Sequence, residues 1–274
     1  MCVNHLKCLS PVILIFITFF VFSATSYTAV EFPGRQRYPA VPFITMTDLY
    51  KSFNNVVIVD VRSKYEFDTL RIKGAINIPL SSKDFVEKIR ELRATQNKKI
   101  VLYCNGKTCM KSYKATQKCR VNKIKNVIAY DQGVLDWAKR YPAKSILLGK
   151  TPINPKHIIS KKEFKTHLIK PEVFEVKINS KVAIVLDVRD PFQREALGLF
   201  IGIEKRANLD DYTDLDLYIS KAKRSKLPIY IYDETGKQVR WLMYYLQQKK
   251  VNEYYFMEGG ARAFFDGLRK KYVR

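Results

Sequence analysis

Histidine is nearly missing from this 274-residue chain, with three in total, and none of its five cysteines is spaced as a C-x-x-C pair. Zinc-type centres draw on clustered His and Cys ligands at such spacings, so the sequence predicts neither a metal nor an organic cofactor. Long apolar runs are also missing: the longest, Val12 to Phe22, falls short of the 18 or more residues that mark a spanning helix, which excludes a multi-pass membrane protein. Acidic residues are few, 26 Asp and Glu against 49 Lys and Arg, and the resulting formal charge of +23 favours anionic partners. No aromatic-interleaved basic motif accompanies that excess, so nucleic acid is not among the expected partners. With 47% hydrophobic and 27% charged residues the chain is globular, with room for one large or two small domains.

The apolar run follows a short segment carrying Lys7 and precedes Ser23-Ala24-Thr25-Ser26, small residues of the kind a signal peptidase requires. Residues 1–26 are therefore expected to be a secretory signal peptide, leaving an exported, periplasmic or secreted body. The alternative is an uncleaved anchor over residues 12–30 that ties the chain to a membrane. Removing 1–26 takes one Lys, shifting the charge from +23 to +22, together with Cys2 and Cys8. Cys104, Cys109 and Cys119 remain, an odd count that argues against a complete disulfide framework and marks at least one thiol as free.

The rest of the chain repeats itself. Ile58-Val59-Asp60-Val61-Arg62 returns as Val185-Leu186-Asp187-Val188-Arg189, and Tyr65 is matched by Phe192, both 127 residues on. Val101 to Asn105 is echoed by Ile229 to Asp233, and Gly133 to Trp137 by Gly260 to Phe264. Thr45 to Asp48 and Ser160 to Glu163 open the two copies with capping-box signatures. Copy one is placed at about 38–148 and copy two at about 156–274, joined by a linker at 149–155 that carries Gly149, Pro152 and Pro155. In each copy short β-branched runs alternate with helical patterns, predicting an α/β fold built on a small parallel sheet flanked by helices. Ligands of such sheets sit beyond the carboxyl ends of the strands.

Cys104-Asn-Gly-Lys-Thr-Cys-Met-Lys-Ser112 occupies that position, between an apolar strand and a predicted helix. A helix N-terminus and nearby cations favour the thiolate, so Cys104 is expected to ionise below the free-thiol value of about 8.5. Gly106 lets the loop wrap its N–H groups toward one centre, and Lys107 and Lys111 add charge that attracts an anion. Phosphatase chemistry is excluded, because Met110 stands where an Arg must grip phosphate oxygens. Cys109 is either a resolving thiol or a spectator, and Cys119 is a packing residue of the following helix.

These residues together resemble the rhodanese family of sulfurtransferases. The resemblance rests on Asp60-Val-Arg62 with Glu66-Phe67, on Gly74-Ala75-Ile-Asn77-Ile-Pro79, on Tyr103-Cys104 with its glycine-containing loop, and on Asp131-Gln-Gly133 to Trp137. It implies two tandem rhodanese-like domains in which Cys104 carries a sulfane sulfur as a persulfide. Asn105, Gly106, Lys107, Thr108, Cys109, Met110, Lys111 and Ser112 would form the cradle, with Asp60, Arg62 and Arg71 in support. Arg71 stands where the family often has His. The Cys104 loop is longer than the family's Cys-x-x-Gly-x-Arg form and has Lys in place of Arg. Copy two carries Asp233 in place of the cysteine and is expected to be catalytically silent. The expected partners are a small anionic donor, thiosulfate or a persulfide, and a thiol or protein acceptor. Two readings stand beside this one: a non-catalytic binding or scaffold protein, and a thiol redox switch using Cys104 and Cys109.

Overall fold

Short β-branched and aromatic runs, closed by polar turns, become the central strands. In the computed structural model, which describes residues 31–95, 97–180, 182–190 and 198–272, the first half runs α1 (Pro33–Arg37), β1 (Phe43–Ile44), α2 (Met46–Lys51), β2 (Val56–Asp60), α3 (Lys64–Thr69), β3 (Leu70–Ile72), β4 (Ile76–Asn77), α4 (Phe85–Thr95), β5 (Lys99–Tyr103), α5 (Lys111–Val121), β6 (Val127–Tyr130), α6 (Gly133–Arg140) and β7 (Ser145–Leu147). The second half runs α7 (Lys161–Thr166), β8 (Leu168–Ile169), α8 (Pro171–Ser180), β9 (Ile184–Asp187), β10 (Glu204–Arg206), α9 (Tyr212–Ser225), β11 (Ile229–Tyr232), α10 (Val239–Gln248), β12 (Tyr254–Met257) and α11 (Gly260–Tyr272). The expected signal segment 1–26 and Phe192, the counterpart of Tyr65, lie outside the described residues.

The two halves build the same sheet. The first has the order β1-β6-β5-β2-β4 and the second, read from the matching edge, β8-β12-β11-β9-β10; every pairing is parallel. β3 and β7 form a separate antiparallel pair. Capping matches the sequence at both expected starts: the Thr45 hydroxyl accepts the Asp48 N–H, and Ser160 with Glu163 completes a full capping box. A third box, Ser63 with Glu66, opens α3 and went unread in the sequence.

Helices cover both faces of the sheets, and the largest apolar core draws on both halves, joining Tyr103, Trp137 and Val134 to Leu186, Ile231 and Leu242. A second core, with Cys104 and Cys119, lines the other face of the first sheet, and a third, around Phe174 and Tyr232, lines the other face of the second. The stretch read as a linker is partly built into this body: Ile153, 6% exposed, sits in the shared core, as do Ile158 and Ile159 just after it. The Ile159 N–H donates to the Tyr244 hydroxyl at 2.9 Å. Burying an isoleucine is worth about 1.5–3 kcal/mol, enough to dock a segment whose prolines alone suggest a tether.

Candidate active site

Strand register fixes what meets at the carboxyl edge of the first sheet. Asp60 pairs with Tyr103 across β2 and β5, and Tyr103 with Tyr130 across β5 and β6. The next residues along each strand, Val61, Cys104 and Asp131, therefore emerge side by side. The start of α6 holds this edge, with the Val134 and Leu135 N–H groups donating to the carbonyls of Cys104 (3.0 Å) and Asn105 (3.3 Å). Gly133, at φ +73°, makes the approach feasible: a Cβ there would lie 2.3 Å from the Gly106 nitrogen. The same closeness recurs in the second half, where a Cβ on Gly260 would lie 2.3 Å from the Asp233 carbonyl oxygen.

A buried polar chain holds the cradle from below. Asp60 and Arg62 are fully buried and paired at 2.6 Å, and the Asp60 carboxylate also accepts the Arg62 backbone N–H at 2.9 Å. Arg62 donates onward to the Asn105 side-chain oxygen (2.9 Å), and the Asn105 amide donates to Glu66 (2.7 Å). Lys111 pairs with Glu66 at 3.5 Å. Burial alone would raise the pKa of the Glu66 carboxyl, but the charges of Lys111 and Arg62 and the Asn105 amide outweigh it and hold the carboxyl below its ordinary value. Burial likewise works against the Arg62 charge, and Asp60 overcomes it, keeping the guanidinium firmly protonated. The pair repeats in the second half, where Arg189 and Asp187 meet at 2.7 Å. Asp60 and Arg62 are thus architectural in both halves, and in the first half Arg62 also fixes the residue next to the cysteine.

Cys104 itself is fully buried, with its thiol donating to the Cys109 carbonyl (3.4 Å) and the Ser112 hydroxyl (3.7 Å). The expectation of a readily ionised Cys104 is corrected here. Burial, aided by the neighbouring Cys109 thiol, pushes Cys104 well above the ordinary thiol value, and the favourable Ser112 contacts are too weak to offset it. Thiolate character moves instead to half-buried Cys109, whose pKa is lowered by a hydrogen bond from Cys104 and by the backbone N–H groups of Lys111 and Asn105. Cys119 is buried in α5 beneath them, and burial raises its thiol to about 12.

The two cradle lysines also differ from expectation, because neither presents a bare charge. Lys107 pairs with Glu31 and stands 4.0 Å from Asp136, while Lys111 is engaged by Glu66. Gly106 accepts the Cys109 N–H at 2.8 Å, which closes the turn through Lys107 and exposed Thr108. Met110 is the N-cap of α5, and Ser112 is buried in that helix against the thiol. The Arg71 guanidinium is directed to the carbonyls of Phe67 and Asp68 (3.4 Å each) and packs over the Phe67 ring. Two supporting residues were missing from the sequence-derived site, Glu66 and Gly133. Both stood inside quoted motifs, and the Ser63 to Glu66 capping spacing was the available signal for the first.

The second half shows what the cradle geometry accepts. The buried Asp233 carboxylate receives N–H groups from Thr235 (3.0 Å), Gly236, Gln238 (2.5 Å) and Val239 (3.1 Å). Successive amides wrapped around one anion form a nest, filled here by the chain's own side chain. A carboxyl group has no sulfane sulfur to carry, and this one engages four N–H groups of its loop.

Comparison with known proteins agrees with the geometry. Residues 45–140 match the rhodanese-like domain. The chain is 44% identical over 57 residues to a tRNA uridine(34) hydroxylase of Cytophaga hutchinsonii, covering 20% of this chain and 18% of that one. It is 28% identical over 133 residues to the uncharacterized protein YqhL of Bacillus subtilis, covering 48% of this chain and 95% of that one. A solved thiosulfate sulfurtransferase from Pseudomonas aeruginosa aligns at 18% identity over 86% of this chain and 47% of its own, with a TM-score of 0.37. The chain spans at most half the length of the first four curated relatives it matches. Residues 45–140 of the first half thus correspond to a rhodanese-like domain.

Proposed function

We propose that this protein is a sulfurtransferase that takes a sulfane sulfur onto Cys104 as a persulfide and passes it to a thiol or other nucleophile. The observation that carries this reading is the placement of a free thiol at the carboxyl end of a central parallel strand, inside a wrapped loop, on a domain of the rhodanese-like family. In the loading step the Cys104 sulfur attacks the outer sulfur of an anionic donor. A new S–S bond forms, and the remainder of the donor leaves with the electron pair, as sulfite when thiosulfate is the donor. Desolvation of Cys104 makes its thiolate costly but strongly nucleophilic once formed. The second half, with Asp233 in its nest, serves as a silent partner that shares the core and packs Trp241 over Arg62, 5.0 Å from the ring centroid.

We further propose that the body acts outside the cytoplasm, on the apolar run and small-residue site at the N-terminus, and that the donor is thiosulfate or a small persulfide. A tRNA substrate is a second reading, favoured by the name of the Cytophaga relative and by the +23 charge. Two assays separate them. With thiosulfate or glutathione persulfide as donor and cyanide as acceptor, the full chain is expected to form thiocyanate, and Cys104→Ser is expected to form none above background. Thiocyanate at equal rates from both proteins overturns the Cys104 reading. Retention of bulk tRNA on the reduced chain at physiological salt would favour the second reading.

A further inference from the structure

Cys109 is a second thiol in the cradle that carrying sulfur on Cys104 does not require. The turn closed between Gly106 and Cys109 folds residue 109 back over residue 104, so the Cys104 sulfur lies 3.4 Å from the Cys109 carbonyl oxygen. Access to the two differs: Cys104 is fully buried, whereas Cys109 is half-buried and reaches solvent. The third thiol of the domain, Cys119, is enclosed in the α5 core, and no cysteine occurs after it in the chain. The silent loop around Asp233 has no thiol at all. A paired, unequally exposed dithiol thus belongs to the active loop alone.

We propose that Cys109 is the resolving nucleophile of this site: its sulfur attacks Sγ of the Cys104 persulfide and expels the outer sulfur as hydrosulfide. This step rests on the persulfide reading above. The Sγ109–Sγ104 bond forms and the bond from Sγ104 to the sulfane sulfur breaks. The leaving sulfur keeps its proton and takes the bonding electron pair as HS⁻. Sulfane sulfur is reduced to sulfide while the two thiols are oxidised to a disulfide. An external thiol reductant then reopens the disulfide by thiol–disulfide exchange, returning two electrons for each sulfide released. The hydrogen bonds that favour the Cys109 thiolate supply the nucleophile, and its partial exposure gives the reductant a sulfur to attack. The substrates of the complete cycle are a sulfane donor and a reducing thiol, and the product is sulfide.

The test uses the reduced full-length chain, freed of small thiols and incubated with thiosulfate, and separately with glutathione persulfide, each isotopically labelled on the outer sulfur. Background sulfide is read from Cys104→Ser. The wild-type chain is expected to release one equivalent of labelled sulfide and to lose two hydrogens, with Cys104 and Cys109 joined in the peptide map. In Cys109→Ser the label is expected to stay on Cys104, and sulfide release to fall by about tenfold or more. Label retained on Cys104 to the same extent in both proteins, or found on Cys109, overturns the inference and leaves the persulfide reading standing. Absence of label from Cys104 in both defeats the persulfide reading and this step with it. One arm needs no variant: mild oxidation of the native wild-type chain should give the Cys104–Cys109 disulfide, and a dithiol that stays reduced, or pairs through Cys119, contradicts the proposal.

Discussion

The Cys104 thiol is the most buried group in a loop that has charges all around it, and burial wins. Its pKa is raised, that of Cys109 is lowered by the hydrogen bond between them, and the helix N-terminus that the sequence suggested as an activator is nearer in effect to the second thiol. The thiolate is the form that alkylates, so at neutral pH limited iodoacetamide should label Cys109 first, Cys104 more slowly and Cys119 last. Peptide mapping across a time course checks that order, and Cys104 labelled ahead of Cys109 contradicts it. The sequence showed that Cys104 follows the end of a central strand but not its ionisation, because desolvation depends on atoms contributed by α5 and by the loop's own return. Glu66 follows the opposite balance. Its folded pKa lies below the ordinary value, so its contribution to stability is present above the unfolded Glu value of about 4.3 and is lost as pH falls toward the folded value. Denaturant unfolding of wild type and Glu66→Gln should therefore differ by about 1–3 kcal/mol near neutral pH, with the gap closing in acid. A gap that is independent of pH contradicts the assignment.

At the level of elements, β2, β5 and β6 align Asp60, Tyr103 and Tyr130, and the cradle hangs from their ends. Two devices keep it there: the Asp60–Arg62–Asn105–Glu66 chain, and the contact of α6 with the loop through Gly133. Replacing Arg62 with Leu strands Asp60 as a buried charge and should cost about 3–5 kcal/mol in urea unfolding. Gly133→Ala has to move the Gly106 backbone and adopt a positive φ. It is expected to reduce sulfur transfer more than it reduces stability, which a paired measurement of thiocyanate formation and urea midpoint checks. The alternation of strands and helices was legible in the sequence, since β-branched runs and capping pairs are local signals. The short helix α3 with its capping box was not, and neither was the contact of Gly133 with the loop. That contact joins residues 27 apart whose closeness only the sheet register determines.

Over the whole molecule, duplication was legible because each copy kept the residues its sheet requires: Asp187 and Arg189 persist as a buried pair although their loop lost its thiol. The sharing of one core was not legible, because an alternating pattern does not say which partner covers a face. Trp241 on α10 belongs to that core and lies over Arg62. Trp241→Ala should therefore cost about 3–5 kcal/mol and unfold both halves in one transition, followed by circular dichroism. Two separate transitions would contradict a common core. The +23 charge is less available at the site than composition suggests, since Lys107 and Lys111 are both ion-paired. What the first half retains and the second has lost is the sulfur at the strand end. Intact mass of the reduced chain after incubation with a sulfane donor tests that distinction most directly. In the presence of Cys109→Ser, which blocks resolution, the account predicts a gain of one sulfur atom mapped to Cys104 and abolished by adding Cys104→Ser; a chain that gains no sulfur from any donor, or holds it elsewhere, contradicts it.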